Sequence, residues 1–198
     1  MKRALSAKKW TKASKITAVI LVVVLFLIIM SCVAITHEYG LYYGKVIDKE
    51  TAEPIEGAAV LLAYFTAEHG LAGSVSHYVD AQETLTDKKG EFRIPAKRLF
   101  TFRPLSSWEP YPQVRIFKPG YGCYPRHKEV APKFDYGSLP ANQNVTIELP
   151  QLTTREERLR NLSCRPVAFP DIAMKIITKT INIERLNLGL EPYEETAK

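Results

Sequence analysis

Residues 44–62 read GKVIDKETAEPIEGAAVLL and run into Ala63-Tyr64-Phe65. Their second half, AAVLLAYF (Ala58–Phe65), is apolar at every position. An eight-residue run of that kind suits a strand buried on both faces at the centre of a sheet; a short buried helix is the alternative that periodicity alone leaves open. Gly57 lets the backbone turn into the run. Downstream, VTIEL (Val145–Leu149) sets Val145, Ile147 and Leu149 on one face and Thr146 and Glu148 on the other, the pattern of a half-buried strand. EFRI (Glu91–Ile94) alternates likewise, with Phe92 and Ile94 inward. Asp87-Lys-Lys-Gly90 carries Asp at the first and Gly at the fourth position, as a type I hairpin turn wants, and Pro119-Gly120 fits a type II turn. Short strands at this spacing, with no helical pattern between them, predict a β-sandwich.

Together with ETLTDKKGEFRIPA (Glu83–Ala96), the opening stretch resembles the carboxypeptidase regulatory-like family, also called transthyretin-like. That family's pattern is a Gly-x-Val strand, an Asp-x-x-Thr loop leading to Pro-Ile-x-Gly-Ala-x-Val, then Thr-Asp-x-x-Gly-x-Phe; both blocks occur here in order. The likeness covers residues 41–150, with the second half resting on strand pattern. It implies a mainly β, seven-strand transthyretin-like sandwich that serves as a non-catalytic module. Two segments depart from the family: Tyr64–Gln82 reads as a long loop, and Arg98–Pro112, RLFTFRPLSSWEPYP, as a second one carrying Phe100, Phe102, Trp108 and Tyr111. Aromatics interleaved with prolines are favoured as a cap on the open end of the core. A sugar-stacking or partner-binding surface is the alternative.

The flanks differ from this body. Lys2, Arg3, Lys8, Lys9, Lys12 and Lys15 hold six of the 27 Lys and Arg, which leaves 21 against 21 Asp and Glu, so the rest of the chain is neutral. A basic arm adjoining an apolar span is a topology signal rather than a nucleic-acid site, and places residues 1–15 in the cytoplasm. Ile16–Thr36 is 21 uncharged residues, about 31 Å as a helix against a hydrocarbon core of about 30 Å. It has no polar face, so a soluble protein core does not suit it. Ile29-Met30-Ser31-Cys32 resembles the lipobox of bacterial lipoproteins, in which the cysteine is acylated after cleavage. Against this, the apolar stretch is long for a signal and continues past Val33. Either an uncleaved transmembrane helix or a lipidated Cys32 puts residues 37–198 on the extracytoplasmic side of a bacterial envelope. Removing Cys32 leaves Cys123 and Cys164 as an even pair for a disulfide in that oxidising compartment.

Residues 151–198 read as a helical extension. Thr153-Thr-Arg-Glu156 fits a capping box, and a second helix is expected from Pro170 to a C-cap at Gly189, with Ile172, Ile176, Ile183, Leu186 and Leu190 on its packing face. It is expected to pack on the body of the same chain.

No catalytic constellation emerges. His37, His69, His77 and His127 form no metallopeptidase array, and His69 and His77 with Glu68 and Asp80 have no diagnostic ligand spacing. GSVSH (Gly73–His77) is not a hydrolase elbow, and no glycine-rich phosphate loop occurs. The expectation is an envelope-anchored module without enzyme activity, metal or cofactor, binding or scaffolding another envelope protein and not nucleic acid. The rival readings are carbohydrate binding through residues 98–112 and, more remotely, a metal-dependent enzyme.

Overall fold

A computed structural model describes residues 12–33, 35–70, 73–103, 106–165 and 174–193, with the side chains at 13, 28–33 and 136 outside the description. The chain is mainly β. Helix α1 (Lys12–Val33) precedes strands β1 (Thr36–Tyr39), β2 (Tyr42–Asp48), β3 (Ala59–Gly70), β4 (Gly73–Leu85) and β5 (Glu91–Ile94). These are followed by β6 (Lys97–Phe100), β7 (Ser106–Trp108), β8 (Gln113–Phe117), β9 (Asn144–Leu149) and helices α2 (Arg155–Asn161) and α3 (Lys175–Asn187). The described residues thus form nine strands where the resemblance implies seven.

Strand β3 is central: β4 runs antiparallel along one side, and β7 and β8 pair in succession along the other. A second sheet has the order β5-β2-β9, antiparallel then parallel, and β1 pairs with β6 apart from both. Gly44 of β2 lies opposite Val145 of β9, whose carbonyl oxygen occupies the space a Cβ at position 44 would need. The two faces of β3 explain its unbroken apolar run. Val60, Leu62 and Tyr64 share one core with Val46, Phe92 and Ile147 of the second sheet, while Ala59 and Leu61 meet a second cluster supplied by α3 and the segment before it. The strand reading of Ala58–Phe65 therefore holds and the short-helix alternative does not.

The segment Tyr64–Gln82 is not a loop. It forms the outer part of the β3–β4 hairpin, with a register shift where Tyr64 faces Asp80 and Phe65 faces Tyr78. Beyond that shift Phe65, Thr66 and Ala67 are buried in succession, whereas Glu68, His69 and residues 73–76 are exposed, so the arm lacks the apolar alternation that would reveal a strand in sequence.

The two blocks of the family pattern meet through Thr86. Its hydroxyl donates to the Ile55 carbonyl at 2.6 Å and accepts from the Ala58 amide at 2.8 Å, and its backbone exchanges bonds with Gly57 and Ala58. Asp48 organises the loop after β2: its carboxylate accepts from the Glu50 and Thr51 amides, the Gln151 amide and the Tyr121 hydroxyl. Burial pushes the Asp48 pKa up, but these four bonds outweigh it and hold the carboxyl below its ordinary value. Asp87–Gly90 has the expected turn, with the Gly90 amide bonded to the Asp87 carbonyl at 2.9 Å and a φ of +73° at Gly90. It does not close a hairpin, however: β4 pairs with β3 and β5 with β2, so the turn carries the chain from one sheet to the other. Local turn chemistry sets the reversal, whereas the partner of each strand is a long-range choice. At Pro119-Gly120, a φ of +80° and the Tyr121 amide bonded to the Lys118 carbonyl match the type II expectation.

After β9, the capping box falls one residue later than the sequence reading placed it. Thr154 is the N-cap and Glu157 its partner, because Thr153 lies outside the first turn. Helix α3 ends in a Schellman arrangement at Gly189 (φ +71°), with the Leu190 amide on the Arg185 carbonyl and the Gly189 amide on that of Leu186. The start at Pro170 and the place of Ile172 lie outside the described residues. Its packing face also differs from expectation. Ile176 and Leu190 pack against the second core as expected, but the helix's buried apolar members are Ile177, Ile181 and Leu188, while Ile183 and Leu186 are exposed. Glu184, fully buried, lies on the same stripe as Ile177, Ile181 and Leu188 and takes Arg158 in a two-bond ion pair of 2.7 and 2.6 Å, which leaves 183 and 186 on the outer face. At the other end, the Glu83 carboxylate of β4 accepts from the Ile176 and Ile177 amides at 2.9 Å each, satisfying the start of α3. Cys123 and Cys164 form the expected disulfide within this second core, with Cα atoms 6.3 Å apart.

Helix α1 holds 22 residues without a break. Among the described residues, no helix is long and apolar enough to cross a membrane. The ten large apolar side chains of α1 from Ile16 to Leu27 are between 48% and 66% exposed, so the β body does not cover them.

Candidate functional site

The four aromatics singled out in residues 98–112 do not form one surface. Trp108 belongs to β7, opposite Thr66 of β3, and packs against the main core. Its ring stacks on His37 with centroids 5.7 Å apart and meets Tyr39 edge-on at 6.3 Å. Tyr39 in turn packs on Tyr64 at 4.5 Å and donates its hydroxyl to the Glu109 carbonyl at 2.6 Å. Burial lowers the His37 pKa and raises those of Tyr39 and Tyr64, as expected of a closed aromatic plug. Trp108 therefore caps the core, while Phe100 and Phe102 are each 70% exposed and Tyr111 53%.

Tyr111 leads to the most site-like concavity among the described residues. An open cleft of about 540 Å³ is lined by Glu109, Pro110, Tyr111, Pro112, Gln113, Arg115 and Ser138. Strand β8 positions its floor. Val114 and Ile116 point into the main core, so Gln113 and Arg115 emerge on the opposite face. Arg115 is held by one bond from its guanidinium to the Val114 carbonyl at 2.7 Å, while its Nε is buried with no hydrogen-bond partner. Among the described residues no carboxylate lies within ion-pair distance of it. Burial, and then the charge of Arg126, pull the Arg115 pKa down to about 10; the group stays protonated at neutral pH. Arg126 itself edges a neighbouring hollow of about 270 Å³ with His127, Lys128, Glu157 and Arg160. This side of the body thus offers a half-desolvated cation and a second one beside it. That arrangement suits a carboxylate or another oxyanion attached to a flat or apolar group that can lie on Tyr111 and the two prolines.

Arg115 was not singled out by the sequence reading. The signal available is a lone cation in QVRIF, between two residues that alternate inward. The remaining candidates are structural or solvated. His69 shares a contact of 3.2 Å with Ser107, His77 meets Glu68 at 3.3 Å, and no set of three metal-ligating side chains converges among the described residues. The Cys32 side chain, the proposed site of lipidation, lies outside the description.

Compared with family models, curated proteins and solved structures, the chain matches none. The likeness to the carboxypeptidase regulatory-like family consequently rests on the residues of its two blocks.

Proposed function

We propose that the chain is a non-catalytic, envelope-anchored module of the carboxypeptidase regulatory-like type, a transthyretin-like sandwich that binds another envelope protein through the cleft beside β8. The observation that carries this reading is Arg115, a half-buried cation with an orphaned Nε, lining a cleft with Glu109, an exposed tyrosine and two prolines. Burying a charge without a counter-charge is costly, and a site that does so is prepared to receive one. The partner accordingly presents an acidic side chain or chain terminus next to an apolar group. Support for the anchor comes from α1, whose apolar side chains the rest of the chain leaves uncovered, and from the basic residues before it. Support for two facing sheets comes from the core they share.

A carbohydrate-binding reading loses its natural platform, since Trp108 is engaged with His37 and Tyr39 and only Tyr111 of the four aromatics lines the cleft. Cross-linking intact membranes and recovering the wild-type chain beside Arg115→Met tests the proposal. A partner captured by the wild type and lost from Arg115→Met is the expected result. Equal capture by both would remove the cleft as the contact.

A further inference from the structure

Phe100 and Phe102 are unexplained by the cleft and by the core. Both are 70% exposed, and they sit in Phe100-Thr101-Phe102-Arg103, a stretch in which Arg103 is also exposed. Exposed phenylalanines two residues apart on a small domain call for an apolar neighbour. The backbone says which one. Strand β1 begins at Thr36, three residues after α1 ends at Val33, and it pairs with β6 so that Thr36 lies directly opposite Phe100. The Thr101 amide donates to the Ile35 carbonyl at 2.9 Å. Residues 100–102 are therefore stapled to the first residues after the apolar helix.

We infer that Phe100 and Phe102 insert into the interfacial layer of the same bilayer that holds α1, with Arg98 and Arg103 directed at lipid phosphates. This rests on the membrane-anchor reading and adds to it a second, surface contact. The span from Val33 to Thr36 covers at most about 11 Å of extended chain. The interfacial layer on each side of the hydrocarbon core is about 5–8 Å thick. A strand pair tied to Ile35 and Thr36 is therefore held within about 11 Å of the helix end, at or beside that layer. Alternation in β6 fixes the face: Leu99 is buried, so Arg98 and Phe100 both point away from the core. Arg103 has no acidic partner among the described residues, and Arg98 faces only Glu38 across the β1–β6 pair without closing an ion pair. Aromatic rings flanked by arginines are the composition of a segment lying in a headgroup layer. The placement is the same for both fates of Cys32. An acylated Cys32 would put its chains four residues before Thr36, and an uncut helix would put the end of its span there. The consequence is orientation: one tether lets a domain swivel, whereas a tether plus an inserted edge holds it with the β1–β6 edge on the membrane.

The test uses the full chain in membranes with photoreactive benzoylphenylalanine introduced at position 100 or 102, and at Glu53, on the loop beyond the far end of β2, as the reference. The replaced side chains are largely solvent-exposed, so folding is preserved. Alkaline carbonate washing is done on the same membranes. Retention in the membrane with phospholipid adducts at 100 and 102 several-fold above those at 53 is the expected result. Retention with adducts at 100 and 102 that are protein only, or no higher than at 53, overturns the inference and leaves the anchor standing. Release by carbonate overturns the anchor reading, and the surface contact with it.

Discussion

Thr86→Val isolates the contact that joins the two motif blocks. Thr86 is 3% exposed, and valine keeps its shape while removing the hydroxyl. Two buried backbone groups then lose their partner, the Ala58 amide (2.8 Å) and the Ile55 carbonyl (2.6 Å). Each orphaned group costs about 1–3 kcal/mol, so the expected loss is about 2–6 kcal/mol, a large share of the roughly 5–15 kcal/mol that stabilises an ordinary domain. Thr86→Ser is the paired control: it retains both bonds and gives up one methyl, about 1 kcal/mol. Urea unfolding of the oxidised protein, followed by tryptophan fluorescence, measures both. Because only native-state contacts change, the midpoint shifts while the slope stays constant. Thr86→Val costing no more than Thr86→Ser would refute the reasoning, and Thr86 would then be an ordinary core residue.

Glu184→Gln should destabilise by about 3–5 kcal/mol, since it leaves the Arg158 guanidinium partly buried without its counter-charge, and the double variant Arg158→Met/Glu184→Leu should recover most of that loss in the same urea assay. Trp108→Ala should cost about 2 kcal/mol, short of the roughly 3–5 kcal/mol of a fully buried aromatic, whereas Phe102→Ala should stay within about 0.5 kcal/mol. Asp48 has a depressed pKa in the folded state, so its contribution is present above the ordinary carboxylate value of 3.8 and is lost as pH falls through the folded value. Asp48→Asn should therefore flatten the acid limb of a stability–pH curve measured by thermal melting. Arg115→Met should raise the melting temperature, by removing a desolvated charge that has no partner, while abolishing partner capture.

The legible parts of the fold were those set by short-range chemistry. The apolar run Ala58–Phe65, the alternation of Val145, Ile147 and Leu149, the type II turn at Gly120 and the αL residue at Gly189 each carry their conformation in a few residues. What escaped was decided at a distance. The outer β3–β4 arm buries Phe65, Thr66 and Ala67 in succession and exposes its tip, so period-two alternation does not mark it. The Asp87–Gly90 turn looks like a hairpin turn locally, and only the pairing of β5 with β2 shows that it joins two sheets. Helix α3 buries Ile177, Ile181 and Leu188 with Glu184 among them, and a charged residue on the packing face, matched by Arg158 from another helix, hides that stripe from an apolar reading. Of the four aromatics, Tyr111 lines the cleft and Trp108 packs on the core, the place the capping reading gives it. Arg115 was missed because a cation in a strand normally marks a solvated face.

Arg115 and Arg158 show why that inference from residue type fails. Both side chains are partly buried. Arg158 is matched by Glu184, whose Oε1 also accepts from the Gly120 amide at 3.3 Å, so its charge is absorbed within the fold. Arg115 has only the neighbouring carbonyl, and the nearest influence on its charge is another arginine. Glu109, the acid that lines the same cleft, accepts from the Ser76 hydroxyl and forms no ion pair with Arg115 among the described residues. Leaving Arg115 unmatched makes sense when the counter-charge arrives from outside. Its burial then sets specificity, because an apolar partner lacking an anion would leave the cation stranded, whereas one that carries an acid gains a charge-assisted bond in a partly desolvated cleft.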